Sequence, residues 1–269
     1  MINESIYLLP GKESPTRWRE RLVSDFGLVA DPAESYRLAL CDSFDWRLFH
    51  AGKRLDWLQH PDYSLLRLLD LASGQVEAEL ELRALESRFA TDLPASELRD
   101  AIAPLLDIRA CLPLVTLKLR SQCLRHEDDE GKTRARLYVE TVNRLTPEGG
   151  SRPLQKRLRL QPLRGYEKSA RLISRRLEVD CQLQASADML WAQAMAAAGK
   201  TPGDYSSKLN IQLQPGMRAD AAVRRVMQDL LHAMLVNEQG TIEDLDSEFL
   251  HDFRVAVRRT RSALAELKW

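Results

Sequence analysis

The stretch from residue 115 to 163 does most to limit what this chain can fold into. Charged and apolar side chains alternate there. Lys118 and Arg120 are interleaved with Leu117 and Leu119, Arg134 and Arg136 lead into Leu137 and Val139, and Arg157 and Arg159 flank Leu158 ahead of Leu160. A period of two marks extended chain, because successive side chains point to opposite faces. Two long strands, 115–126 and 133–142, flank Glu127-Asp128-Asp129-Glu130-Gly131-Lys132, an acidic loop with a late glycine that suits a long hairpin. A third strand is expected over 154–163. Each would carry one apolar and one charged face.

The first part of the chain also reads mostly as strands. Residues 36–40 alternate loosely, and Trp46-Arg47-Leu48-Phe49 precedes the turn signal Ala51-Gly52. Residues 53–59 and 63–71 read as strands, and Ser73-Gly74 turns the chain into a further strand over 75–83. That strand carries Glu77, Glu79 and Glu81 on one face, and Glu140 continues the row of Arg134 and Arg136. Ser96 is an expected N-cap for a helix whose apolar stripe is Leu98, Ile102, Leu105 and Leu106. Helices are expected from Gly165-Tyr166-Glu167-Lys168 through 177 and over 186–199. Residues 200–215 hold the turn formers of a linker.

Charged rows on strands have two explanations. In a half-exposed sheet the charged face is wet. In a closed barrel it points inward, where Lys118, Arg120, Arg134, Arg136, Arg157 and Arg159 would hold phosphates. Glu77, Glu79, Glu81 and Glu140 would then hold a divalent cation, Mg or Mn.

Beyond residue 216 the period changes. Val223, Val226, Met227, Leu230, Leu231, Met234 and Leu235 follow helical spacing, a loop is expected over 237–246, and a second helix runs to the end. On that helix His251, Arg254, Arg258 and Arg261 fall within an arc of about 80° at 100° per residue. Phe253, Val257, Thr260, Leu264 and Leu267 take the other side. Like charges at i,i+4 cost a helix roughly 0.2–0.5 kcal/mol each. No acid is interleaved from Arg254 to Arg261. A polyanion would relieve that repulsion, because guanidinium forks match phosphate oxygens. Acids on another helix would do the same.

Composition removes other classes. Lys+Arg and Asp+Glu are both 39, so the formal net charge is zero and a broadly basic nucleic-acid coat is excluded. With 44% hydrophobic residues the chain can build a core. No apolar run is long enough to span a membrane, and the N-terminus has no secretory pattern. Cys41, Cys111, Cys123 and Cys181 form no paired motif, in keeping with a reducing, cytoplasmic setting. Walker, GxGxxG, GxSxG and HExxH patterns are absent. The five tryptophans, Trp269 among them, read as core or interface residues. Asp42 and Asp45 read as turn caps.

The segment His251-Asp252-Phe253-Arg254-Val255-Ala256-Val257-Arg258-Arg259-Thr260-Arg261-Ser262-Ala263-Leu264 resembles the start of the CHAD domain, an α-helical domain named for its histidines. Arg218, Arg225 and His232, seven residues apart, are similar to that domain's opening helix. The resemblance implies a basic surface for inorganic polyphosphate, built from His251, Arg254, Arg258, Arg259, Arg261, Arg218, Arg225 and His232. It also implies that only the first helical hairpin of a longer helical domain is present.

Residues 1–180 resemble a CYTH domain, the triphosphate tunnel fold. The carriers are Leu40-Cys41-Asp42-Ser43-Phe44-Asp45-Trp46-Arg47-Leu48-Phe49-His50-Ala51-Gly52, Asp107-Ile108-Arg109-Ala110-Cys111-Leu112-Pro113, and Gly131-Lys132-Thr133 with its strand. Gly165-Tyr166-Glu167-Lys168 and Asp204-Tyr205-Ser206-Ser207-Lys208 resemble stretches found where this domain is fused to CHAD. The family's opening E-x-E-x-K is missing. In Ile2-Asn3-Glu4-Ser5-Ile6-Tyr7-Leu8, Glu4 fills one position and the second acid falls on Ile2 or Ile6.

The expected fold is therefore α+β. An antiparallel β-barrel or tunnel with flanking helices (1–200) is followed by a linker (201–216) and a helical hairpin that begins a CHAD-like bundle (217–269). The expected function is binding of inorganic polyphosphate in the cytoplasm, at polyphosphate granules, with a degenerate tunnel that takes triphosphate-type anions. No membrane and no specific nucleic acid is an expected partner. Two alternatives stand beside it: a metal-dependent inorganic triphosphatase acting in the tunnel, and a structural role in which the hairpin drives self-association.

Overall fold

A computed structural model of the chain describes residues 4–11, 13–83, 88–187, 189–206, 208 and 211–266. Ile2, Ser207, Leu267 and Trp269, used in the reading above, lie outside the described residues. In chain order the elements are β1 (Ser5–Leu8), α1 (Pro15–Phe26), β2 (Val29–Asp42), α2 (Arg47–His50), β3 (Lys53–Gln59), β4 (Ser64–Asp70) and β5 (Val76–Leu82). A 3-10 turn (Ala90–Asp92) and α3 (Glu97–Leu106) follow, then β6 (Leu112–Glu127), β7 (Thr133–Leu145), β8 (Ser151–Pro162) and α4 (Glu167–Val179). The chain continues through β9 (Ala185–Ser186), α5 (Leu190–Ala197), α6 (Ala219–Ile242) and α7 (Ser247–Glu266).

The strands form one nine-stranded antiparallel sheet in the order β5-β4-β3-β2-β6-β7-β8-β1-β9. The order leaves β5 and β9 as edges, so the ladder is an open one. Its two faces follow from register. Glu140 lies opposite Arg157 and Ser121, Tyr138 opposite Arg159 and Cys123, and Leu38 opposite Leu117 and Leu58. Those residues share what is called here the Glu140 face. Leu137, Val139, Leu158, Leu160 and Leu124 share the opposite, Leu137 face.

The Leu137 face carries two separate cores. Over β7, β8 and β1, Leu137, Leu158 and Tyr7 pack with Trp18 and Leu22 of α1 and with Ile173 and Leu177 of α4. Over β3, β4 and β5, Leu55, Leu66 and Leu68 pack with Leu98, Ile102 and Leu106 of α3. A third core lies on the Glu140 face. There Leu38, Leu40, Leu117, Leu119 and Val142 meet Trp46 and the α5 residues Leu190, Ala194 and Met195. Helix α5 therefore covers the apolar end of this face and leaves the charged end open. Among the described residues no helix is long and apolar enough to cross a membrane.

Local chemistry explains the helices. Ser96 caps α3 by accepting from the Arg99 N–H at 3.2 Å, as its position indicated. Helix α1 is not among the expected helices, yet its signals are ordinary. Ser14 Oγ accepts from the Arg17 N–H at 3.1 Å, Pro15 stands at the first helical position, and Gly27 closes the helix at φ 64°.

Two further assignments are corrected. Trp46-Arg47-Leu48-Phe49 is not strand: the chain turns helical because the Asp42 carboxylate accepts from the N–H groups of Ser43, Leu48 and Phe49 at 2.7–2.9 Å. The expected loop over 237–246 is mostly helix, since α6 continues to Ile242. The Asn237 amide nitrogen is satisfied inside that helix, donating to the Ala233 carbonyl at 2.8 Å and to the Tyr205 hydroxyl at 2.7 Å, while its Oδ1 is buried without a partner among the described residues. Gly240 lets the Phe249 ring press on the helix backbone, and a Cβ there would lie 2.3 Å from the ring. Gly240→Ala is therefore expected to cost about 1–3 kcal/mol by overpacking, read as a lower midpoint in urea.

Candidate functional site

The charged end of the Glu140 face is built by β2, β4, β7 and β8. Glu140, fully buried, accepts from Arg157 Nε at 2.6 Å and from Arg159 Nε at 3.0 Å. Arg159 also lies over the Tyr138 ring, 4.0 Å from its centre, and donates to Glu4 at 2.9 Å. Burial would push the Glu140 carboxyl up, but the two guanidiniums outweigh it and hold the group below its usual range. Tyr36 sits on the same face of β2. Burial, then the charge of Glu140, pushes its hydroxyl up to about 12, while Arg159, Arg157 and Arg67 pull the other way. Arg136, opposite Arg125 and Gln161, completes the cluster and is exposed. Arg134, further along β7, donates to Asp128 at 2.6 Å and lies over the Tyr166 ring at 4.2 Å.

Not all the expected tunnel residues are here. Arg134, Arg136, Arg157 and Arg159 share this face. Lys118 and Arg120 do not: they stand opposite Asn143 and Thr141, on the Leu137 face. The pairing register of β6 with β7 decides this parity, and the sequence pattern alone does not show which face of one strand meets which face of the next.

The four glutamates fall on one face but do not converge. Glu77 pairs with Lys53 at 2.5 Å and Glu79 with Arg67 at 3.0 Å on β5, the sheet edge. Glu140 is several strands away, held by its arginines. Glu81 faces Leu65 across the ladder. Among the described residues no three His, Cys, Asp or Glu side chains gather into a metal-ligand group. The donor set thus does not fit Mg or Mn, and Glu4, the one described acid of the opening strand segment, is committed to Arg159 and Gln161.

The second charged surface is α7. His251, Arg254, Arg258, Arg259 and Arg261 are all exposed, and none of them forms an ion pair among the described residues. The inward side of α7 is Phe249 and Ala256. Leu264, expected on that side, is 55% exposed, as are Leu231 (52%) and Leu235 (59%) of α6. The α6 members of the basic set are less available. Arg218 precedes the helix and pairs with Asp220 at 3.0 Å, and Arg225 pairs with Asp229 at 3.3 Å. His232 is exposed.

Sequence reasoning missed the group that joins these surfaces. Arg109 is fully buried and meets three carboxylates: Asp45 at 3.4 Å, Asp246 at 3.4 Å and Asp252 at 2.7 Å. Asp246 also accepts from the Ala110 N–H at 2.9 Å and caps α7 through the N–H groups of Glu248 and Phe249. Tyr205 donates to Asp252 at 3.1 Å and packs with Phe44, which also touches Phe249. Trp46 Nε1 donates to Asp204 at 2.9 Å. So Asp45, read as a turn cap, also joins a buried ion cluster. The stretches around Asp45, Arg109 and Asp204 stand far apart in sequence and meet at the base of α7.

Residues 225–268 match the CHAD domain. No curated protein sequence matches the chain. A solved structure of a proposed adenylate cyclase from Bacillus halodurans is 14% identical, with 70% of this chain and 94% of that one covered at a TM-score of 0.48. A proposed adenylyl cyclase from Hippeastrum, described by a dominant triphosphatase activity, is 15% identical, with 76% and 99% covered at a TM-score of 0.49. The chain thus joins a nine-stranded antiparallel sheet with flanking helices to a helical hairpin that matches the CHAD domain.

Proposed function

We propose that this chain binds inorganic polyphosphate, with α7 as the contact. The observation that carries this reading is the row of exposed cations on α7, His251, Arg254, Arg258, Arg259 and Arg261, without an acid partner among the described residues and within the CHAD match. A helix that keeps like charges at i,i+4 gains stability when an anion lies along them. Arg225 and His232 are auxiliary contacts, because Arg225 must first leave Asp229. The sheet contributes a weaker site for triphosphate-type anions around Arg136, Arg157 and Arg159. An incoming phosphate there competes with Glu140 and Glu4, which already neutralise two of these arginines. That competition favours a binding role over turnover. Residence at polyphosphate granules would follow from the same contact.

The test is calorimetric titration with long-chain polyphosphate and with tripolyphosphate, with and without Mg²⁺, on the parent and on a variant with His251, Arg254, Arg258 and Arg261 changed to Glu. Long-chain binding is expected in the parent, steeply salt-dependent, with a slope that falls by about 3 in the variant at roughly 0.7 per contact. Binding of tripolyphosphate only with Mg²⁺, indifferent to the variant, would instead select the triphosphatase reading.

A further inference from the structure

The strip of the Leu137 face along β2 and β6 lies between its two cores and is uncovered. Arg37 and Lys118 are direct cross-strand partners there, and Arg120 stands two residues further along β6. All three are exposed, and none forms an ion pair among the described residues. Adjacent partners sit about 5 Å apart, and alternate residues on a strand about 7 Å. Like charges directly opposite each other destabilise a sheet. With as many acids as bases in the chain, a solvated strip could have interleaved them. The nearest acids, Glu34 on β2 and Glu140 on β7, point to the other face. The direct cross-strand neighbours are neutral hydrogen-bonding groups: Ser35 and Thr141 opposite Arg120, Asn143 opposite Lys118, and Gln59 opposite Arg37.

We propose that this strip is a second phosphate-polymer contact, separate from α7 and on the side of the sheet away from Glu140. Its chemistry selects the occupant. The strip has cations and neutral donors; the aromatic ring beside it, Trp57 on β3 opposite Ala39, is packed against the α3 core, so no exposed ring among the described residues offers a platform on which nucleobases would stack. With Ala39 and Trp57 committed to that core, no exposed aromatic or apolar anchor of the kind a protein partner would depend on stands beside Arg37 among the described residues. An extended inorganic polyphosphate needs neither: charge and donors along a line suffice. Two basic lines on one chain let a long polymer bridge them, and the second engagement then costs little. A short anion cannot do so. The proposal rests on the phosphate-polymer reading above and adds a length preference to it.

The experiment compares the parent with Arg37→Gln/Lys118→Gln/Arg120→Gln by calorimetry against long-chain polyphosphate and tripolyphosphate over a range of salt. A charge-retaining control, Arg37→Lys/Lys118→Arg/Arg120→Lys, is run beside them, with circular dichroism to verify the fold. The neutral variant is expected to bind the long chain more weakly, with a salt slope shallower by about 2 for three lost contacts, and to bind tripolyphosphate unchanged. The charge-retaining variant should bind as the parent does. Equal long-chain affinity and slope in parent and neutral variant would overturn this proposal alone and leave the α7 reading intact. A parent that binds no long-chain polyphosphate would overturn both. Displacement of bound polyphosphate by a single-stranded oligonucleotide or polyglutamate at lower concentration would overturn the choice of occupant.

Discussion

Arg109→Ala is expected to destabilise the fold by about 3–5 kcal/mol, the range for removing one partner from a buried ion cluster. The guanidinium is fully buried and is met by Asp45, Asp246 and Asp252. Truncation leaves those carboxylates facing one another without a cation. Asp246 would keep its backbone donors and still cap α7, so the helix survives locally. What fails is the seat of the hairpin on the sheet. Urea denaturation should show a lowered midpoint, and limited proteolysis should cut the segment before α6 sooner. Arg109→Lys is expected to rescue poorly, since one ammonium cannot span three carboxylates as a planar fork does.

The same cluster sets a pH dependence. Burial pushes the Asp45 carboxyl up, but Arg109, the Ser43 hydroxyl and Arg47 outweigh it and leave it below its ordinary value. A carboxyl depressed by folding contributes stability that is complete above its unfolded pKa, about 4. That contribution is lost as pH falls through the lower folded value. Separation of the hairpin by acid is thus expected below about pH 4, and Trp46 fluorescence, beside Asp204, reports it. Full hairpin seating at pH 2.5 would contradict the role given to this cluster.

Glu140→Gln is expected to cost about 3 kcal/mol or more, because it removes the buried charge that Arg157 and Arg159 share. The amide keeps the shape, so the loss reports charge and not packing. The substitution should at the same time raise the affinity of this face for tripolyphosphate, since the anion no longer competes with Glu140. The two readouts move in opposite directions, lower melting temperature without ligand and tighter binding with it. A variant that melts lower and binds no better would show that Arg157 and Arg159 serve the sheet alone. A variant that melts like the parent would show that Glu140 is dispensable to it.

Much of the scaffold could be read from residues in order. The period-two runs around Leu117, Leu137 and Leu158 are strands, and Ser96 caps α3. The charged side of α7 is wet from His251 to Arg261. Those features are local: a strand's alternation or a helix's arc depends on a few residues and their dihedrals. Signals at Ser14, Pro15 and Gly27 were equally local and mark α1.

Other features had no local sign. Alternation states that Lys118 and Arg120 share a face and that Arg157 and Arg159 share one, but not that these are opposite faces. Register across three strands assigns that, and one residue of slip would reverse it. The α6 stripe likewise named apolar positions without saying that Leu231 and Leu235 stay exposed while Asn237 and Gly240 go inside. Arg109 gave least away. Its partners lie 64, 137 and 143 residues distant, and nothing in its neighbourhood marks it as buried. By itself the sequence determined the strands, the helix caps and the basic arc of α7, because short-range sterics and hydrogen bonds set them. Only the tertiary structure decided which charges face each other, which are buried and which stay free for an anion, because pairing and desolvation depend on contacts between segments far apart in the chain.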